Sequence, residues 1–346
     1  MIQQVVTAMP AVMHSAQFIS ETVEEEGHGG LNPSESQLST GVSSISSPVR
    51  DGLMVLNYSD FLGLNLPQRG HILYPIIPEQ GLVMLYAPRG LGKTWAALSL
   101  AWASACGGQA IGPWYAESAR KVLYIDGEMP AKALQDRLDQ IKSGAGGYCP
   151  QDDYLNILTP DIQPCSMPNF ASSEGHKIMA PYVDDRELIV LDNLATLCRG
   201  GRENETESWR PIQEWLLSMR RRGKSVLLVH HAGKGGQQRG ASAREDILDT
   251  VIALKKPSDY KPEQGARFEI HIEKGRGMSG PEAKSFTAHL ELSDGGAKWS
   301  SSVVEDERLA KVEAMLKQGC SVREIADETG IPKSTVQRLK SKPAVT

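Results

Sequence analysis

Apolar residues fall along this chain in short unbroken runs, separated by stretches with helical spacing. The runs are LVMLYA (82–87), KVLYID (121–126), ELIVLD (187–192), SVLLVHH (225–231) and DTVIALKK (249–256). A strand covered on both faces reads as such a run. Runs that alternate with helical patterns predict a parallel sheet with helices packed on it. Helices are predicted after Lys93, after Pro130 and around 206–222. Two later runs, ARFEIHIEK (266–274) and FTAHLEL (286–292), alternate apolar with polar residues on either side of a Gly-rich turn. That pattern predicts an antiparallel hairpin at the sheet edge. The predicted class is α/β, mostly parallel with a C-terminal antiparallel hairpin, over residues 51–298. Residues 303–346 return to purely helical spacing and are expected to form a small all-α module. Residues 1–50 show neither period. They are rich in Ser and Gly (SESQLSTGVSSISSP), include the acidic run ETVEEEG, and are expected to be a disordered tail.

Composition narrows the classes. The chain has 346 residues, 40% hydrophobic and 23% charged, which suits one large domain with appendages. No run of about 18 apolar residues occurs, so no membrane span is expected, and the N-terminus lacks a secretory pattern. The five cysteines (106, 149, 165, 198, 320) form no C-x-x-C pair, as expected of a reduced cytoplasmic protein without a zinc knuckle. The net charge of −5 excludes a general basic coat for duplex DNA. Residues 331–346, however, carry four basic residues and no acidic one, so any nucleic-acid contact must be local.

The first candidate chemistry sits where a strand meets a helix. In APRGLGKTW, the residues Ala87, Pro88, Arg89, Gly90, Leu91, Gly92, Lys93, Thr94 and Trp95 nearly match the phosphate loop G-x-x-x-x-G-K-[ST]. Backbone N–H groups at such a helix start point at phosphate oxygens, and the helix dipole favours the anion. Lys93 would reach the β- and γ-phosphates of ATP, and the Thr94 hydroxyl would ligate Mg²⁺. Ala87 replaces the first glycine, which is tolerable if its φ stays negative. The plain alternative is a Gly-rich turn that happens to carry a lysine.

Carboxylates end the next strands. Asp192 closes ELIVLD, where it would hold Mg²⁺ through water, although a strand-end aspartate can also cap a turn. Asp126 and Glu128 follow KVLYI, and both are candidates for the base that activates water. Glu128 is preferred for its longer reach. His230 and His231 end SVLLVHH; one faces the nucleotide side and the other the opposite side.

Taken in order, VLYIDGEMP, LIVLDN, SVLLVHHAGKG and RGASAREDILDTVIAL resemble the RecA-like ATPases of plasmids and phages, which are similar to RepA-type hexameric replicative helicases. The resemblance covers about residues 60–292. It implies a RecA-type core, ring assembly as a homo-oligomer, expected to be a hexamer, and nucleotide sites at subunit boundaries. By that resemblance Glu128 matches the base, His231 the γ-phosphate sensor and Arg137 a basic residue of the following helix on the nucleotide. It also places loops 198–208 and 232–240 toward single-stranded DNA in the ring channel, with Lys234 and Arg239 as contacts. Lys274 and Arg276, in a K-x-R-x-G turn, match an arginine finger acting on the neighbouring subunit's γ-phosphate. The family's basic residue near DTVIAL is missing here, where Asp249 and Thr250 stand, so that role falls to Arg276.

The C-terminal stretch LAKVEAMLKQGCSVREIADETGIPKSTVQRLKSK (309–342) spaces Ala326, Gly330 and Val336 as a helix-turn-helix does, with Ser321 as a cap. It resembles the resolvase and invertase type of motif. Lys333, Ser334, Thr335, Gln337 and Arg338 would then decorate a helix that reads duplex DNA. A protein-docking three-helix bundle is the alternative. The expected function is an ATP-hydrolysing, Mg²⁺-dependent motor on DNA. The competing readings are an ATP-switched DNA-binding regulator, a loader without unwinding activity, and a small-molecule kinase.

Overall fold

The computed structural model describes residues 49–50, 53–199, 206–233 and 245–340. The chain divides into two units, Met1–Pro67 and Gln68–Thr346. In the first, Val49–Arg50 pairs antiparallel with Leu53–Met54, and Asn57 caps a five-residue helix, Tyr58–Leu62. The rest of the expected N-terminal tail lies outside the described residues.

The second unit is built on a nine-stranded sheet. Its strands are β1 Leu82–Ala87, β2 Val122–Asp126, β3 Leu155–Leu158, β4 Leu188–Asp192, β5 Ser225–His231, β6 Thr250–Lys255, β7 Arg267–Gly275, β8 Phe286–Ser293 and β9 Gly296–Val303. Their order across the sheet is β9-β8-β7-β6-β1-β5-β4-β2-β3. The six strands from β6 to β3 are parallel, and β7, β8 and β9 continue antiparallel. This is the mostly parallel α/β class that the runs predict.

Alternation along each central strand feeds two cores. Val83, Leu85 and Ala87 of β1 join Val190 and Leu188 of β4 on one face, under helices α1 (Lys93–Cys106) and α2 (Ala131–Gly144). Leu82, Met84 and Tyr86 join Ile189 and Leu191 on the other, under α3 (Ser173–Val183) and α4 (Thr206–Arg221). Successive side chains point to opposite faces, and both faces are covered, so β1 and β4 are apolar throughout except for Asp192 at the end of β4.

Three elements depart from the sequence reading. The edge strand β3 is only four residues long, and α3 carries Pro181 and only a sparse apolar stripe, Gly175, Met179 and Val183. The C-terminal antiparallel part has three strands rather than a two-stranded hairpin, because the Ser-rich GAKWSSSV pairs along β8 in full. The sheet therefore continues to Val303, past residue 298, and α5 (Val304–Lys317) starts at the next residue without a linker. Gly144 makes this possible, since a Cβ there would lie 1.9 Å from the Ala297 carbonyl oxygen.

The module consists of α5, α6 (Val322–Thr329) and α7 (Lys333–Lys340) around Val312, Ile325, Ala326 and Val336. Ser321 caps α6 in a full capping box with Glu324, and Gly330 ends it at φ 68°. Among the described residues no helix is long and apolar enough to cross a membrane.

Candidate nucleotide site

Parallel pairing brings the candidate residues to one end of the sheet. Asp192 is in register with Asp126 on one side and Val229 on the other, and His231 is in register with Ala87. Ligands of such sheets bind beyond the carboxyl ends of the strands, and a cleft of about 490 Å³ opens there. It is lined by Arg89, Gly90, Gly92, Lys93, Thr94, Trp95, Asp126, Glu128, Arg137, Asp192 and His231, together with Met129, Pro130, Gly265 and Ala266. Of the predicted loop residues, Ala87 and Leu91 are buried in the core instead of lining the cleft.

The loop has the backbone a phosphate cradle requires. Gly90 and Gly92 have φ of 77° and 91°, whereas Ala87 keeps a negative φ. Gly92 is doubly constrained, because a Cβ there would lie 2.5 Å from the Ala266 Cβ. Gly92 is also the N-cap of α1 and makes no side-chain cap bond, so the amides at the helix start remain available to an anion. Lys93 is 7% exposed, and burial holds its pKa below the ordinary lysine value despite the nearby Asp192 and Glu128. A buried cation beside open amides fits a polyphosphate. Arg137 stacks at the mouth, its guanidinium 5.0 Å above the Trp95 ring.

The two strand-end aspartates are both buried. Tyr124 donates to Asp192 Oδ2 at 2.7 Å. Asp126 Oδ2 accepts from the amides of Met129 at 3.0 Å and Glu128 at 3.3 Å, and from Thr159 Oγ1 at 3.4 Å. Its other oxygen, Oδ1, has no hydrogen-bond partner among the described residues. Burial, then the charge of Asp192, push the Asp126 carboxyl up to about 6. Thr94 and Asp192 line the same cleft, and two such oxygen donors fit a divalent cation that completes its shell with phosphate and water, as Mg²⁺ does. No cluster of three or more His, Cys, Asp or Glu side chains is placed to hold a metal among the described residues.

Both Asp126 and Glu128 line the cleft, but Asp126 is committed to the turn that follows it, whereas Glu128 keeps its side chain 57% exposed. Asn193, which the sequence reading passed over, organises it. Asn193 Nδ2 donates to Glu128 Oε2 and stands 3.2 Å from His231 Nε2, which is itself 3.5 Å from Glu128 Oε2. Burial and the positive Lys93 hold the His231 pKa below its ordinary value, which favours the neutral imidazole. The residue stood in plain view in LIVLDN; only the packing of three strand ends gives it a role.

The family model of the AAA domain matches residues 52–237, more than half of the chain. This chain belongs to the AAA domain family. As an AAA domain it falls among the P-loop ATPases, and the cleft is its candidate nucleotide site. The protein is also similar to a solved structure, a KaiC-like protein from the hyperthermophilic archaeon Pyrococcus horikoshii OT3. The two are 17% identical, covering 67% of this chain and 99% of that one, with a TM-score of 0.44. No curated protein matches the chain.

The remaining predicted residues lie elsewhere. Lys274 and Arg276 are at the opposite end of the sheet, because β7 runs antiparallel and Gly275 pairs with Thr250 at the start of β6. Lys274 Nζ donates to the Glu245 carbonyl, and Arg276 Nη2 donates to that of Asp246 at 2.7 Å. Lys234 and Arg239, and most of the loops proposed for single-stranded DNA, lie outside the described residues. On α7, Lys333, Ser334, Gln337 and Arg338 are exposed and Thr335 is half-buried.

Proposed function

We propose that this AAA domain protein is a Mg²⁺-dependent ATPase motor acting on DNA, assembled as a homo-oligomeric ring, hexameric in the manner of the plasmid and phage replicative helicases that its motifs resemble. The observation that carries the reading is the convergence of Glu128, Asn193 and His231 beside the Lys93–Thr94 cradle. Lys93 and the loop amides bind the phosphates. Thr94 and Asp192 would hold the Mg²⁺ ion, which supplies charge neutralisation at the phosphates when bound. Glu128 accepts the proton of the attacking water, and Asn193 holds its carboxylate against His231, which reads the γ-phosphate. Lys274 and Arg276 serve a neighbouring subunit's site. Single-stranded DNA follows the loops with Lys234 and Arg239. Lys333, Ser334, Thr335, Gln337 and Arg338 meet duplex DNA. A second reading, an ATP-switched DNA-binding regulator or loader, draws support from the direct run of β9 into the module.

ATP turnover with and without single-stranded DNA, recorded together with particle mass, tests the motor. The expected result is a DNA-stimulated oligomer. Glu128→Gln should lower turnover by about 10²–10⁴-fold and keep nucleotide binding. A protein that stays monomeric, with turnover indifferent to DNA, overturns the motor. Duplex unwinding, assayed separately, divides the motor from the regulator.

A further inference from the structure

The antiparallel edge of the sheet carries a line of polar side chains that the nucleotide site does not use. Phe268 and Ile270 of β7 enter the core under α1 and α2. Side chains alternate along a strand, so Glu269 and His271 point out of the opposite face. The ladder between β7 and β8 ends at the pair Ile270–Phe286, which brings Ser285 opposite His271. His271 Nε2 lies 2.9 Å from Glu269 Oε2, and His271 Nδ1 lies 2.9 Å from Ser285 Oγ. The His271 and Glu269 side chains are 23% and 15% exposed.

An ionised carboxylate only accepts hydrogen bonds. A neutral imidazole that donates to it through Nε2 has its lone pair at Nδ1, facing the serine hydroxyl. That is the order of a nucleophile, its base and the group that orients the base, each within hydrogen-bond reach of the next.

His271 and Ser285 open onto a cleft of about 640 Å³ between the sheet edge and the helical module, a size that suits a small-molecule ligand. Val303, Leu309, Ile331 and Pro332 give it an apolar wall, and Lys284 lines it next to Ser285. It shares no lining residue with the nucleotide cleft. An apolar wall accommodates an acyl chain, and an ammonium group offsets the charge that develops on a carbonyl oxygen under attack.

We propose that Ser285, His271 and Glu269 form a second catalytic site, a serine hydrolase centre for small carboxylic esters with an apolar acyl group. Ser285 Oγ bonds to the carbonyl carbon as its proton passes to His271 Nδ1. The ester C–O bond breaks, and the leaving alcohol takes that proton. Water then attacks the acyl-serine through the same relay, which releases the carboxylic acid and restores Ser285. Glu269 is a positioning residue: it holds the imidazole and offsets its charge when protonated.

Full-length protein incubated with p-nitrophenyl butyrate should release p-nitrophenol. A fluorophosphonate probe should label the wild type at Ser285, located by peptide mass spectrometry, and this measurement needs no variant. Ser285→Ala and His271→Ala should each lower hydrolysis at least about 100-fold, the low end for acid–base catalysis. Both should keep the affinity for a fluorescent ATP analogue, since neither residue lines the nucleotide cleft; retained affinity reports an intact fold. Glu269→Gln should lower kcat with KM unchanged, and Glu269→Asp should restore part of kcat, a division that lost packing alone does not produce. Wild-type protein that leaves ester and probe untouched, or that is labelled at another residue, overturns the proposal. Hydrolysis that persists in Ser285→Ala overturns it equally.

Discussion

Replacing Asp126 by asparagine should stabilise the nucleotide-free protein, and the pH dependence of the gain is fixed by the environment of the side chain. Asp126 is 1% exposed and in register with Asp192, and one of its oxygens lacks a partner among the described residues. Its carboxyl is raised from the ordinary 3.8 to about 6, by burial first and Asp192 second. Between about pH 4 and 6 the folded chain thus binds more protons than the unfolded one. The stability that protonated Asp126 contributes is complete below about pH 4 and is lost as pH rises through about 6. At about 1.36 kcal/mol per pH unit, that rise sets an upper bound of about 3 kcal/mol. Relaxation and water entry reduce that, so the expected effect is roughly 1–3 kcal/mol. Asp126→Asn keeps an acceptor for the Glu128 and Met129 amides and puts a neutral amide group where the orphan oxygen stands. In urea unfolding at constant m-value, with chelator and no nucleotide, variant and wild type should coincide near pH 4. By pH 8 the variant should be more stable by roughly 1–3 kcal/mol. His231, with its lowered pKa, acts in the opposite sense around pH 6.5, and the difference between the two proteins cancels it. An Asp126→Asn protein no more stable than wild type at pH 8 would refute the reasoning that this carboxylate is ionised in a desolvated site.

Two further substitutions separate the core from its appendage. Gly92→Ala forces a left-handed backbone on alanine, at about 1–2 kcal/mol, and presses its Cβ against Ala266. Overpacking adds about 1–3 kcal/mol, so calorimetry should show a clear drop in melting temperature and titration a loss of nucleotide binding. Ser321→Ala removes the capping box of α6 and should cost about 0.5–2 kcal/mol. Hydrogen exchange should show that loss confined to residues 322–329, with the amides of β1 and β4 unchanged.

The cradle was legible because its requirements are local. A buried run, two glycines with positive φ and a Lys-Thr pair at a helix start are neighbours in the chain, and the structure shows those glycines in that backbone. The strand-end positions of Asp192 and His231 were legible for the same reason. β3 and β9 were not, because an edge strand covered on one side carries little of the apolar signal of a central one. LNIL is short, and GAKWSSSV is mostly polar.

The choice between Asp126 and Glu128 shows where sequence stops. Alternation along a strand lets both carboxylates lie on one side, and length alone favoured Glu128. The fold separates the two carboxylates by turning the chain at Gly127, whose amide bonds to the Asp192 carbonyl. Asp126 is thereby spent on the following amides, and Glu128 is brought to Asn193. The contacts of Asn193 belong to the same class, since its partners Glu128 and His231 come from other strand ends far away in the chain. The sequence by itself determined the parallel α/β class, the phosphate cradle, the strand-end acids and the capped three-helix module, all of which rest on neighbours within a few residues. The tertiary structure alone decided that Asp126 is tied into the following turn while Glu128 stays exposed beside Asn193, and that Lys274 and Arg276 stand at the far end of the sheet. Those facts depend on strand order and register, and side chains distant in sequence meet only after the whole sheet has formed.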